Sequence, residues 1–445
     1  MQRPSRSPWL PLLALSLFCS ATAVAEAPRR DDCGLEPPGA PPWPVLPRKS
    51  FELRSGDRLP HVRREPGAGL QTLQGPWGAS GQGGLVGKTV YLSPGHGFTF
   101  VGTSWSTQRG TTNGIVEDLA SAEAVHQYLL RYLHNAGARV VSVREQDLTE
   151  KMAIVDEADG GAYFEEGAAG RFFATDEKGF GRYGAALRDQ VPFTLGRTRL
   201  LSATDKADAA ARFVPDVPAD GEYHVYVSYA AGANRASDAH YVVRHLGGES
   251  HFRVDQRRHG GTWVLLGRFY FGRGQSPEHG AVQVLSDSKE AGAVISLDAV
   301  RLGGGAGDID RGKGKSGRPR WEEAARYYTQ FNGAPAEVWD NPNYEDHDDD
   351  VGSRSRFAAW DHEDGEDAVY LAWHTNAPDP GVGTSSYVYG PNPPDGNYMF
   401  TGVPGSDTLM ALVHDEIVGD IRKGWDAGWR DRGKFTAYFG EVNPR

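Results

Sequence analysis

The chain has 445 residues, 57 of them Gly and 28 Pro, with 39% hydrophobic and 11% aromatic residues. That length predicts two or three domains, and two cysteines exclude disulfides as the main staple. A formal net charge of −11 argues against a nucleic-acid binder, which carries a basic face.

Residues 1–25 place Arg3 and Arg6 before an apolar run from Trp9 to Phe18 and end in Ala23-Val24-Ala25. This is the order of a secretory signal peptide, and it predicts a secreted or periplasmic chain. An uncleaved anchor and lipidation at Cys19 are the alternatives. The run is too short to span a bilayer, which takes about 20 residues. Residues 26–86 are Pro- and Gly-rich and predict a loosely ordered arm.

Order begins with a short strand at Thr89-Val90-Tyr91-Leu92, which runs into Ser93-Pro94-Gly95-His96-Gly97. Val125, Tyr128, Leu129, Tyr132, Leu133 and Ala136 recur at helical spacing and predict a helix over 115–136. Asn113 is its candidate N-cap, and Gly137 stands just past its end. A buried strand is predicted over Arg139–Arg144. Strand, helix and strand in this order predict parallel pairing.

From about 153 to 303 the helical period gives way to β-rich runs, such as Tyr223–Tyr229, Tyr241–Val243, Trp263–Leu266 and Ala281–Leu285. Gly-containing turns separate them, which predicts a β-sandwich. In that sandwich Tyr223, Tyr226, Tyr229 and Trp263 read as core residues first and sugar-binding residues second. Residues 304–320 predict a Gly-rich basic linker. The helical pattern returns at Trp321–Phe331, a buried strand at Ala368–Trp373 runs into His374, and an amphipathic helix covers Leu409–Ile421. The acidic stretch Asp340–Asp350 reads as a solvated loop. The predicted fold class is α/β: an open mixed or parallel sheet with flanking helices (87–152 and 321–445), interrupted by an all-β sandwich (153–303).

His96 and His374 both fall at the carboxyl ends of predicted strands, and Glu117 opens the helix that leaves that edge. Ligands bind at that edge in open α/β sheets. Two imidazoles and a carboxylate are one ligand set for catalytic zinc. A turn-capping role for His96 and a helix-dipole role for Glu117 remain open on spacing alone.

Four segments resemble the zinc-dependent N-acetylmuramoyl-L-alanine amidases of the cell-wall type. They are Val90–Gly97, Gly114–Leu119, Tyr370–Ala377, and Arg354 with Ala358. The resemblance implies that His96, Glu117 and His374 hold Zn²⁺. It also implies that Arg354 steadies its helix or contacts substrate, and that the substrate is the amide between N-acetylmuramic acid and L-alanine of peptidoglycan. The sequence departs from the family at Ser93 and Phe98 and in the 21-position gap from His96 to Glu117. The family's late general-base glutamate has no counterpart before Arg445, so either the chain is a fragment or Glu441 takes the role. Residues 153–303 resemble golvesin C-terminal or xanthan-lyase-type carbohydrate-binding-like domains, through Ala211–Pro215, Gly221–Val227, Gly261–Gly267 and Ile295–Arg301. That resemblance implies a polysaccharide partner. Two further readings stay open: a non-catalytic wall or polysaccharide binder, and a zinc peptidase acting on another amide.

Overall fold

A computed structural model describes residues 61–65, 83–111, 114–290, 292–375, 382–390 and 404–443. The predicted leader over 1–25, most of the 26–86 arm, Asn113 and Asn376-Ala377 lie outside them. Residues Pro28–Ala372 and Phe439–Arg445 belong to one compact body, and Trp373–Tyr438 to another.

The first body is built around a β-sandwich. Its larger sheet has six antiparallel strands in the order Val62–Glu65, Gly248–Val254, Ala239–His245, Ala281–Leu285, Ala210–Phe213 and Tyr163–Glu166. A four-stranded sheet runs Val264–Phe271, Gly221–Val227, Ala299–Leu302 and Ala153–Asp156, again antiparallel throughout. Alternation explains the faces: Tyr241 and Val243 enter the core, while His240 and Arg244 turn outward. Val225, Phe252, Leu266 and Val284 from the two sheets join one apolar cluster. Each large side chain buried there contributes about 1.5–3 kcal/mol. Tyr223, Tyr226, Tyr229 and Trp263 are all buried, as the core reading predicts. Val62–Glu65 lies within the predicted arm, yet it pairs in register with His251–Val254 and adds a strand to the sandwich.

Beside the sandwich, Lys88–Pro94 is the middle strand of a three-stranded sheet between Asp367–Trp373 and Arg139–Ser142. It pairs in parallel with Arg139–Ser142, as the strand–helix–strand pattern predicts. The connecting helix is interrupted: α-helix over Glu117–Ala124, a π-helical turn over Val125–Leu129, and α-helix over Leu130–Asn135. The wider turn rotates the register, so Val125, His126 and Leu130 are buried while Tyr132 is 60% exposed. The helix Asp346–Asp361 carries the acidic stretch in its first turns. Asp346, Asp349 and Asp350 are buried there, not solvated as the sequence predicts.

The α/β class is overturned. The described residues form twenty strands in six separate sheets against six α-helices, and the larger sheets are antiparallel. The parallel signal is local. Among the described residues parallel strand pairing is seen in the three-stranded sheet of Lys88–Pro94 and in one two-stranded sheet, and it does not extend into a wide open sheet, because the strands from 153 to 302 pair antiparallel with one another and with Val62–Glu65. The predicted linker over 304–320 is tied down as well: Ile309 is fully buried and bridges Leu187, and Ala306 bridges Pro319.

In the second body Thr384–Tyr389 pairs in parallel with Asp431–Ala437, and the helix Ser406–Gly424 connects them. His414, Val418 and Ile421 are its buried face.

Candidate functional site

The strand Lys88–Pro94 ends in a turn shaped by glycines. Gly95 has φ +50°, in the left-handed region that favours glycine. A Cβ on Gly97 would sit 2.5 Å from the Ala324 backbone nitrogen, so no side chain fits there. The turn buries His96 to 2% exposure. Glu117, also buried, begins the following helix, with Oε1 3.5 Å from where a Gly95 Cβ would stand and Oε2 3.4 Å from Arg109 Nε.

Arg354, fully buried, joins this corner together. Its Nη1 donates to Glu441 Oε1 at 2.9 Å, its Nη2 donates to His96 Nδ1 at 3.0 Å, and it is ion-paired with Asp350. Burial works against the Arg354 charge, but Asp350 and Glu441 outweigh it and hold its pKa above the usual value. A guanidinium only donates, so a neutral His96 accepts at Nδ1 and carries its proton on Nε2. That nitrogen faces Glu441 Oε1 at 4.0 Å. The carboxylate of Asp350 also accepts from Gln108 Nε2 at 2.8 Å and from the Arg326 backbone at 3.1 Å. Arg354 is therefore a positioning residue in this arrangement, with no exposed surface to offer a substrate.

Of the residues expected at the site, the first body brings His96, Glu117 and Arg354 together. His374, also buried, follows the strand Asp367–Trp373 and belongs to the second body. Sequence reasoning missed Arg144 and Asp350. Arg144 is fully buried and donates to four carbonyls: Pro94, Asp118, Trp321 and Glu323, at 2.7–3.0 Å. It thereby fixes the end of the His96 strand against the Glu117 helix. Burial pulls its pKa down to about 10. Arg144 ends a predicted buried strand at the ligand edge, and an arginine there was the available signal.

A second feature lies between the sandwich and the parallel sheet: a cavity of about 390 Å³ lined in part by Arg64, Arg139, Tyr226, Trp263 and Leu265. That is within the range of small-ligand pockets, roughly 300–1,000 Å³. Arg139 pairs with Asp361 at 2.7 Å, and Tyr91 donates to the same carboxylate at 2.9 Å. Burial lowers the pKa of Arg64 and takes His134, also on the cavity wall, down to about 4. The cavity thus offers aromatic walls, neutral imidazole and guanidinium donors.

In the second body, Ser386 Oγ lies 2.9 Å from His414 Nδ1, and His414 Nε2 lies 2.9 Å from Asp431 Oδ1. Ser386 and His414 are buried, and the row ties the helix to both strands. No helix among the described residues is long and apolar enough to cross a membrane.

Residues 183–304 match the Golvesin C-terminal domain family. The xanthan lyase of Bacillus sp. (strain GL1) is 32% identical over 99 residues, 22% of this chain and 10% of that protein. A Paenibacillus xanthan lyase structure is 30% identical, covers 35% of this chain and 13% of that one, and has a TM-score of 0.28. The Podospora anserina GH26-CBM35 β-(1,4)-mannanase is 15% identical, covers 32% of this chain and 27% of that one, and has a TM-score of 0.18. The chain spans about a tenth of the length of the curated relative it matches. The likeness is therefore to one domain of longer proteins, and it supports a carbohydrate-binding-like domain in the middle of this chain.

Proposed function

We propose that this chain is secreted and binds an extracellular polysaccharide through its β-sandwich. The observation that carries the reading is the match of 183–304 to the Golvesin C-terminal domain, with the identity to a xanthan lyase beside it. The cavity supplies the site. Tyr226 and Trp263 give it apolar walls, and Arg64 gives it a hydrogen-bond donor at one wall. Sugar recognition uses such a combination: apolar faces with a few placed polar groups. The test is affinity electrophoresis of the full chain through gels containing xanthan or solubilised peptidoglycan. Retardation by one of them, reduced by Arg64→Ala, is the expected result. Equal mobility in every gel would sink the reading.

One observation favours a second reading, in which the chain also hydrolyses the peptidoglycan amide: His96, Glu117 and Glu441 are buried around one corner of the first body. The His96 imidazole and the Glu117 carboxylate are donors that suit zinc. When bound, the metal would supply a water activated at neutral pH. For His96 to join as a ligand, Arg354 must give up its hydrogen bond to Nδ1 so that the ring proton can move there. Glu441 is the carboxylate placed to take a proton. Metal analysis tests this: about one zinc per chain, lost in His96→Ala, with free L-alanine amino ends released from peptidoglycan. Full zinc retention in that variant, or only new reducing ends in the digest, would rule it out.

A further inference from the structure

The basic stretch over 304–320 takes no part in the cavity. From Arg311 to Arg320 it places five cations among ten residues and no carboxylate, in a chain whose formal net charge is −11. The loop is pinned from beneath. Asp310 Oδ1 accepts from the backbone N–H of Gly312 at 2.8 Å and of Gly314 at 2.9 Å. Those two glycines have φ +85° and +96°, a conformation that side-chain-bearing residues rarely adopt. Trp105 Nε1 donates to the Gly314 carbonyl at 3.2 Å, and Lys315 Nζ to the Ala185 carbonyl at 3.3 Å. The Gly307 N–H closes the base by donating to the Arg318 carbonyl at 2.8 Å.

The five cations are used in different ways. Arg320 turns inward, is fully buried and pairs with Asp308 at 2.9 Å. Arg311 pairs with Asp346 at 2.8 Å and lies 3.6 Å from Asp189. Arg318 is exposed, 3.4 Å from Glu322, with its guanidinium 4.3 Å over the Phe98 ring. Lys313 and Lys315 are exposed, and among the described residues no carboxylate lies within ion-pair reach of either. Asp310 spends its carboxylate on the loop backbone and lies 3.7 Å from Arg188. Glu323 is fully buried, and burial raises its pKa to about 7.

Two unpaired ammoniums on one pinned loop invite an anionic partner. An ammonium is a compact charge with three donors, which suits the oxygens of a carboxylate. The half-buried rings of Phe98 and Trp105 beside the loop add apolar surface of the kind that sugar faces use. The negative charge of the rest of the chain repels a densely charged polymer such as nucleic acid. A chain of mostly uncharged sugars with carboxylates at intervals meets the loop without that penalty.

We propose that the Arg311–Arg320 loop is a second glycan contact, which takes an acidic polysaccharide through carboxylates held at Lys313 and Lys315. The ligand class rests on the polysaccharide reading above, whereas the residues are separate from the cavity. The test is fluorescence anisotropy of a labelled hyaluronan oligosaccharide, which carries a carboxylate on every second sugar, titrated with the full chain. A labelled dextran oligosaccharide is the uncharged comparison. Hyaluronan should bind more tightly than dextran, and Lys313→Gln combined with Lys315→Gln should weaken it severalfold without changing urea unfolding. Arg64→Ala should leave hyaluronan binding intact. Raising NaCl from about 0.01 M to about 0.15 M shortens the Debye length from about 30 Å to about 8 Å and should weaken it as well. Equal affinity in the native chain and the double glutamine variant, or hyaluronan bound no more tightly than dextran, would overturn the loop assignment. Arg64-dependent retardation by xanthan or peptidoglycan would then still uphold the cavity. A labelled DNA duplex bound as tightly as hyaluronan would also overturn the proposal, because the loop would then read charge alone.

Discussion

The sandwich and the His96 corner belong to one body and are held together in different ways. The sandwich is dominated by an apolar cluster in which Leu201, Val225, Phe252 and Val284 interlock. The corner relies on buried charge: Arg144 spends its donors on four carbonyls, and Arg354 is shared by Asp350, Glu441 and His96. Apolar packing tolerates small changes of shape and fails gradually, whereas a buried ion network fails when one member is removed. A scaffold that must only hold a sugar-binding face suits the first kind of core. A site that must hold polar groups at fixed distances needs the second.

The strongest way to break this comparison is Arg354→Ala. It would leave Asp350 and Glu441 buried without their partner, and removal of one buried partner costs about 3–5 kcal/mol. Urea unfolding should show that loss, with a smaller one for Arg354→Lys. A loss under about 1 kcal/mol would mean that the corner is not held by its charges. Next is Leu201→Ala, a cavity in the sandwich core, expected to cost about 2–5 kcal/mol without altering the pH dependence of stability.

A smaller effect comes from pH in both regions. Burial raises the carboxyl pKa of Asp298 to about 7, of Glu323 to about 7 and of Asp349 to about 8. In each, the folded state keeps a proton that the unfolded chain has lost. Their contribution is present at low pH and disappears as pH rises through 7–8. Buried histidines work in the opposite direction: His134 and His245 are lowered to about 4, so their effect on stability is confined to pH below about 6.5. Thermal stability should therefore fall between pH 6.5 and 8, and Asp298→Asn should flatten that slope. A rise over the same interval would contradict the assignment of raised carboxyls. The smallest expected effect is on binding. Arg64→Ala should weaken polysaccharide affinity about tenfold, the worth of one charged hydrogen bond of roughly 1.5 kcal/mol, and leave unfolding nearly unchanged.

These two kinds of core also explain what the sequence disclosed. Period-two runs such as Tyr223–Tyr229 and Ala281–Leu285 announced strands, because alternation of apolar side chains follows directly from the pleat. The strand at Lys88–Pro94 and its parallel partner were legible for the same reason. The wider α/β sheet was not there, since strand runs do not say which neighbours they will choose. The burial of Asp346 and Asp349 could not be read locally. The partners Arg311 and Arg326 of Asp346 and Asp349 come from separate segments, and without them a cluster of aspartates reads as solvent-facing; only Asp350 has its partner Arg354 one turn on in the same helix. The helix stripe was misread by the width of one π turn. At the candidate site, His96, Glu117 and Arg354 could be named from motifs, while Arg144 and the hold of Arg354 on both His96 and Glu441 required coordinates.

The most direct test of the central claim is binding of the full chain to xanthan and to solubilised peptidoglycan, measured by affinity electrophoresis with and without Arg64→Ala. Saturable retardation by one of the polysaccharides, weakened about tenfold in that variant, is the predicted result. Mobility unaffected by either polysaccharide, or binding indifferent to Arg64, would contradict the assignment of the sandwich and its cavity as the binding site.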